Sequence, residues 1–432
     1  MKRLTTTNED TMTSESITLK KDMYIIRLVY LVAFVDMTTA SMVVTVLASY
    51  LKDVAGLSAS TAGVVSSLYG VVQFFSSPIA GAEFDRRGFG TVMSFCLFAC
   101  FFAYSLLAVD FWIFLIVSRL LAGCFKHTQN LSKTMVGALS NEEQKLVAFG
   151  RLNSMGNLAF IFAPSLAGWL AAKFGYSFVF VLVAIGFGLN ALIVYLNFPL
   201  MPSPVSDAPK ISRKSIGINN NALSTSSSNP IRKLITHFQE VDWTSQWDLM
   251  MIRFLQSFVI LLYRANFNWL MSDKYEVGPA AIGYLTSIQG VVAFFSSFYA
   301  NNVIQLWSTQ TTRVLVHCCF LLTVALVGMR LAPSFLIYGL FLGLLNCASS
   351  WLRVITIDLT TQRCVVDDIG AVLGVAASVI AISRAICPAV GGVLHDFDRE
   401  SPTVMCAVVS GVTVLIAQFA SVKNQRLYAI RR

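Results

Sequence analysis

A chain of 432 residues that is 56% hydrophobic and only 13% charged, with a mean hydropathy of +0.67, is not a soluble globular protein. Soluble domains carry about 25% charged residues and have too little interior to hide this much apolar surface. The net charge of +9 could indicate a nucleic-acid partner, but the basic residues are scattered among apolar runs rather than gathered on one face, so no nucleic acid is expected.

The apolar runs recur along the chain as continuous stretches of the ~20 residues that cross roughly 30 Å of hydrocarbon. They are not the short alternating segments of a barrel, so the expected fold is an all-α polytopic membrane protein. Residues 1–23 form a polar tail ending in Lys20 and Lys21, with no short apolar region and small-residue cleavage site. A cleaved signal peptide is therefore not expected, and the first span serves as its own anchor. Twelve spans are predicted, at residues 24–48, 61–83, 91–109, 111–135, 146–171, 177–198, 248–272, 280–304, 312–331, 334–357, 368–395 and 403–421. Residues 199–247 break the pattern with Pro202, Pro204, Pro209, Pro230 and a run of Asn and Ser. They read as a flexible linker, with a short surface helix expected over 231–241. The chain thus divides into two bundles of six, 24–198 and 248–421, with a basic tail at 422–432. When residues at span ends are counted with the adjoining loop, nineteen Lys and Arg fall on the side of the N-terminus, five on the other side and eight inside spans. The positive-inside rule then places both termini in the cytoplasm.

An internal repeat supports the division. Gly70-Val71-Val72-Gln73-Phe74-Phe75-Ser76-Ser77 returns as Gly290-Val291-Val292-Ala293-Phe294-Phe295-Ser296-Ser297, and at the same offset Gly63 matches Gly283 and Ser67 matches Ser287. Span 5 matches span 11, with Gly150, Pro164 and Gly168 against Gly374, Pro388 and Gly392. Duplicated halves of this kind clamp a midplane site and rock about it.

After span 2 the sequence reads Gly81-Ala82-Glu83-Phe84-Asp85-Arg86-Arg87-Gly88, which resembles the G-x-x-x-D-R-x-G loop of the major facilitator superfamily. Arg119 with Gly123 is similar to that family's R-x-x-x-G motif in its fourth helix. Gly150, Ala159, Ala163, Pro164 and Gly168, echoed by Gly374, Pro388, Gly391 and Gly392, follow the spacing of its antiporter signature, with alanines in three glycine places. Small residues there permit the close helix contact of a gating helix. Gly123 to Thr128, Ser41 to Val44, and Trp247-Asp248 with Arg253 narrow the resemblance to one small branch. Solute carrier family 22 and tetracycline-efflux proteins look like its more distant relatives. The resemblance runs from about Tyr24 to Ala420. It implies the twelve-helix fold in two six-helix pseudo-repeats, transport by alternating access, and a monomer in the bilayer that carries a small molecule. It also brings together Arg86 and Arg87 with Asp367 and Asp368 as a lock across the cytoplasmic side.

Charges inside spans cost roughly 2.5–3.5 kcal/mol each at mid-membrane and call for a reason. Asp36, Arg119, Lys126, His127, Arg264 and Arg384 lie deep and are the candidate coupling and cavity residues. Arg27, Arg151, Arg253 and Arg353 lie nearer span ends and are expected to snorkel. Helical rise puts Asp36 roughly 18 Å and Lys126 roughly 14 Å from the cytoplasmic side, close enough for the lysine stem to reach the carboxylate. Burial disfavours a charged carboxylate and a nearby ammonium favours it, so access from one side or the other can set the charge. The expectation is a proton-coupled secondary transporter or antiporter with Asp36 as coupling carboxylate. The alternatives are a passive facilitator and a transporter-shaped scaffold or receptor. The deep charges are mostly positive, which suits an anionic substrate, whereas the drug-efflux resemblance favours a lipophilic cation. H-E-x-x-H, G-x-S-x-G and G-x-x-x-x-G-K-[ST] are absent, so neither an enzyme nor an ATP-driven pump is expected. The nine cysteines show no metal-type C-x-x-C, and no metal or cofactor is expected.

Overall fold

The computed structural model describes residues 3–140, 142–198, 243–307, 311–363 and 369–431. Fourteen helices account for them: α1 Arg3–Asp53, α2 Ala59–Arg87, α3 Phe89–Leu107, α4 Trp112–Phe125, α5 Thr128–Leu139, α6 Glu142–Phe174, α7 Tyr176–Asn197, α8 Trp243–Tyr275, α9 Pro279–Phe298, α10 Ala300–Trp307, α11 Thr311–Leu331, α12 Phe335–Arg363, α13 Ile369–Phe397 and α14 Ser401–Arg431. Ten of them contain a segment long and apolar enough to cross a bilayer. The expected spans 4 and 7 fall short for identifiable reasons. Span 4 is cut by a break at Lys126 and His127, which corrects the continuous helix expected over 111–135. Span 7, within α8, is too polar on average, with Arg253, Gln256, Arg264, Asn266 and Asn268 interleaved among its apolar residues.

Helix ends follow local chemistry. No proline or glycine occurs before Gly56, so nothing stops α1 between Arg3 and Asp53, and it extends well beyond the expected start at Tyr24. Ser58 caps α2 by accepting from the Thr61 N–H. Gly88 ends α2 and starts α3 at φ 80°, a left-handed backbone that suits glycine, which explains the last position of the Gly81–Gly88 signature. Span 8 is also interrupted, at Tyr299, between α9 and α10.

The helices pack as two copies of one arrangement. In the first half α1 packs on α6 and α7, α3 on α4 and α7, and α2 on α4; in the second α8 packs on α13 and α14, α11 on α12 and α14, and α9 on α12. Each half has its own hydrophobic core, one built from residues such as Val29, Leu97 and Phe187, the other from Leu249, Leu315 and Leu352. Large apolar side chains that remain exposed, among them Phe75, Phe95, Leu189, Leu336 and Leu415, suit contact with lipid tails.

The halves meet along two crossings, α2 with α13 and α6 with α9, and both crossings are built from the repeated small residues. A Cβ placed on Gly63 would lie 2.2 Å from the Pro388 carbonyl oxygen, and one on Gly283 would lie 2.4 Å from the Pro164 carbonyl oxygen. Gly392 and Gly168 are as tight, against Ala59 and Pro279 at 2.1 and 2.3 Å. Backbones approach here because no side chain holds them apart. Hydrogen bonds follow the same pseudo-twofold. Ser67 accepts from the Ala389 N–H at 3.0 Å, and Ser287 accepts from the Ser165 N–H at 3.0 Å.

The crossings are sealed toward one end of the bundle. Lys52 pairs with Asp273, Asn268 donates to the Thr45 carbonyl at 2.7 Å, and both oxygens of Asp396 accept from the N–H groups of Ala59 and Ser60, which open α2. Asp273 also meets His395 at 2.8 Å. Partial burial alone would raise the Asp273 carboxyl, but the hydrogen bonds from Lys52 and His395 outweigh it and hold the group below its ordinary value.

Candidate functional site

The break between α4 and α5 sits in the first half where the lysine meets the aspartate. Helix α4 stops at Phe125, Lys126 adopts φ −77° and ψ 67°, and α5 restarts at Thr128. A break at this depth leaves carbonyls without their helical partners, and side chains supply replacements. Gln73 donates to the Lys126 carbonyl at 2.7 Å, Ser76 donates to the Gly123 carbonyl at 3.0 Å, and the His127 ring contacts the Cys124 carbonyl at 3.1 Å and the Ser76 hydroxyl at 2.9 Å.

Lys126 pairs with Asp36, and the two side chains are 8% and 1% exposed. One carboxylate oxygen takes the lysine; the other is buried and has no partner. The Lys126 ammonium also lies 5.1 Å from the Phe187 ring centroid, over its π face. From α3, Cys100 and Tyr104 are near enough to act electrostatically on Asp36. Arg119 is buried, sits 5.6 Å over the Tyr104 ring, and leaves Nε without a partner. The Nδ1 of His127 is likewise unpartnered.

Gln73 joins this site to the second half. Its amide nitrogen also donates to the Tyr69 hydroxyl at 2.9 Å, and its oxygen accepts from Arg384 at 3.0 Å. Arg384 therefore reaches across the crossing of α2 and α13 to a side chain that braces the helix break. Arg264, on α8, is solvent-accessible although it lies mid-helix, and the charges of Arg353 and Arg384 both act on it. Arg353 is exposed, as a snorkelling side chain can be. Arg253 is buried, which corrects the snorkelling expected of it. Arg27 and Arg151 are exposed.

The remaining expected residues fall as follows. Arg86 and Arg87 pair with Glu83 one turn back on their own helix, at 3.4 and 2.6 Å, and Gly81 meets nothing within 4 Å. Asp367, Asp368 and residues 199–242 of the expected linker, its surface helix over 231–241 included, lie outside the described residues, as does the Asp85 side chain, while 243–247 belong to α8, which corrects the linker's expected end. Of the gating-helix set, Pro164, Gly168, Pro388 and Gly392 make the crossings, and Gly391 packs on Leu262 of α8 within its own half. Ala159 and Ala163 are buried, Gly150 has open space before it, and Gly374 lies in α13. Gln73, Ser76, Lys52, Asp273 and Asp396 escaped the sequence reading. For Gln73 a signal existed, since it is the one position where the eight-residue repeat differs, against Ala293.

Comparison with known proteins agrees with this architecture. The Major Facilitator Superfamily family model matches residues 29–263. The chain is 25% identical over 391 residues to solute carrier family 22 member 18 of Mus musculus, covering 86% of this chain and 89% of that one. Among solved structures it resembles the human organic anion transporter MFSD10 (TETRAN), with TM-score 0.65 and 16% identity, covering 92% of this chain and 99% of that one. It also resembles a bacterial homologue of the human lysosomal transporter Spinster in an inward-facing, unoccupied conformation, with TM-score 0.71 and 12% identity over 93% and 97% of the two chains.

Proposed function

The chain belongs to the Major Facilitator Superfamily, a multi-pass membrane transporter family, and from that premise we propose that it is a proton-coupled secondary transporter whose coupling group is Asp36. The observation that carries this reading is the buried pair of Asp36 and Lys126 at an interrupted helix, with one carboxylate oxygen left free to take a proton. Interrupted helices at mid-depth are where secondary transporters of several folds bind substrate and coupling ions.

Protonation of Asp36 neutralises it and releases Lys126, whose own backbone carbonyl is held through Gln73 to Arg384 in the other half. Proton binding and the contact between the halves are thereby linked through side chains. The charge count supports both termini in the cytoplasm. With that orientation the end sealed by Lys52, Asp273 and Asp396 is external and the described state opens inward. In the outward-open state Arg86 and Arg87 exchange Glu83 for Asp367 and Asp368, a lock that biases a population rather than creating a state, since exposed pairs contribute only about 0–1 kcal/mol.

The test is uptake into proteoliposomes with and without an imposed pH gradient. Asp36→Asn is expected to fold and bind substrate while losing gradient-driven accumulation. Uphill transport by that variant at the normal rate would make Asp36 structural and leave a facilitator.

A further inference from the structure

We propose, on the premise that Asp36 is the coupling group, that Gln73 is the positioning residue through which its protonation reaches the second half. The signal then passes at the crossing of α2 with α13 and not at that of α6 with α9. The two crossings are built alike. A Cβ on Gly70 would lie 2.8 Å from the Arg384 carbonyl oxygen, and one on Gly290 would lie 2.5 Å from the Phe160 carbonyl oxygen. Gly70 and Gly290 hold the same place in the repeat, and so do Phe160 and Arg384, at the offset that relates Pro164 to Pro388. One turn along, Gln73 of α2 is matched by Ala293 of α9. At this level Arg384 donates to Gln73 at 3.0 Å in one crossing, whereas the alanine and phenylalanine of the other have no polar group to exchange.

The fourth span of each half shows the same difference. Where Gln73 faces it, Lys126 leaves the helix and its carbonyl accepts from the Gln73 amide at 2.7 Å. Where Ala293 stands, α12 is continuous, and Asn346, which matches Lys126 in the repeat, donates to the Leu342 carbonyl one turn back at 2.8 Å. The neighbouring serines do not account for the contrast. Ser76 meets His127 at 2.9 Å, and Ser296 meets Cys347, the residue in the same repeat position, at 3.1 Å. Only a side-chain amide serves both partners here, because a carbonyl needs a donor and a guanidinium needs an acceptor. Asp36 faces Lys126 at the break, with Cys100 and Tyr104 of α3 near it, and Arg384 lies within electrostatic reach of Lys133 on α5 and Arg264 on α8. When a proton neutralises Asp36, Lys126 loses the charge that holds it at the break. Its carbonyl moves off the Gln73 amide, the amide turns, and Arg384 is released.

The experiment measures the separation of the halves in purified full-length protein in detergent, with spin labels at Thr91 on α3 and Arg313 on α11, both exposed and at the open end. Protonation of Asp36 is followed in parallel by its infrared carboxylic-acid stretch, assigned by its loss in Asp36→Asn. Acidification from neutral pH is expected to shift the distance in the unsubstituted protein and not in Asp36→Asn. Gln73→Ala, which installs the residue of the other repeat, is expected to keep the infrared band and lose most of the distance shift. Arg384→Met should lose it as well, and Arg384→Lys, which keeps a donor for the Gln73 oxygen, should retain more of it. Phe160→Leu, at the other crossing, should retain it in full. A full shift in Gln73→Ala, or an equal loss in Phe160→Leu, would overturn the route while leaving Asp36 as the coupling group. Loss of band and shift together in Gln73→Ala would make Gln73 a structural support of the pair and overturn it too. A shift that persists in Asp36→Asn, or no shift in the unsubstituted protein, would remove the coupling reading and the route with it.

Discussion

The two six-helix units share one packing plan and differ in the fourth span and in what it meets. In the first, the fourth span is broken, and the lysine at the break meets an aspartate on α1. In the second, α12 runs without interruption from Phe335 to Arg363. At the offset that relates Gly63 to Gly283, Asp36 corresponds to Gln256, which donates a neutral hydrogen bond to the Ser349 carbonyl at 3.4 Å. Each unit also holds a buried ion pair, Asp36 with Lys126 at the helix break in the first and Asp248 with Arg363 near helix ends in the second. The pseudo-symmetry of the scaffold thus carries an asymmetry of chemistry.

The largest expected effect probes that contrast directly. Lys126→Met leaves a buried carboxylate alone and should cost about 3–5 kcal/mol of stability, most of it recovered in the Asp36→Asn/Lys126→Met double variant, read by thermal unfolding in detergent. Arg353→Met in the other half should change stability by no more than about 0.5 kcal/mol, because an accessible charge without a protein partner is removed. Equal losses at the two sites would erase the distinction between the halves.

Next in size are the crossings, where the halves should behave alike. Gly63→Val and Gly283→Val each drive a side chain into a carbonyl oxygen and should cost about 1–3 kcal/mol, opening the sealed end. Cross-linking of Lys52→Cys to Ser272→Cys by a short bis-methanethiosulfonate reports this, since a lysine-length side chain at position 52 reaches the Ser272 hydroxyl. Gly81→Val, with open space around it, is the silent control. Smaller again, Ser67→Ala and Ser287→Ala should each cost about 0.5–1.5 kcal/mol. The second should cost more, because Ser287 also bonds the Ser165 hydroxyl at 2.6 Å.

The smallest effect concerns pH at the sealed end. The lowered Asp273 value means that its carboxylate strengthens closure at neutral pH, and that this contribution fades only as pH falls through and below the usual carboxylate range of about 4. Thermal stability of the unsubstituted protein in detergent should therefore stay flat between pH 5 and pH 7 as far as Asp273 is concerned and fall below that. Asp273→Asn should show the acid behaviour at neutral pH.

The sequence by itself determined the class, the repeat and the identity of the close-contact positions. Hydrophobic runs must be helices in lipid, and the small residues of spans 5 and 11, Gly168 and Gly392 among them, stand at the spacing of a close helix contact. It also marked Asp36 and Lys126, since a charge in a span is visible in one dimension and helical rise fixes its depth. What the tertiary structure decided was compensation. No proline or glycine at Lys126 or His127 announces the break; it exists because Gln73 and Ser76 from α2 take up the carbonyls that the helix gives up. Nor does the sequence reveal that Arg384 reaches Gln73 in the other half, because position along one span says nothing about which way a helix faces. Depth is a property of one helix, but whether a charge is paired depends on what its neighbours bring to it.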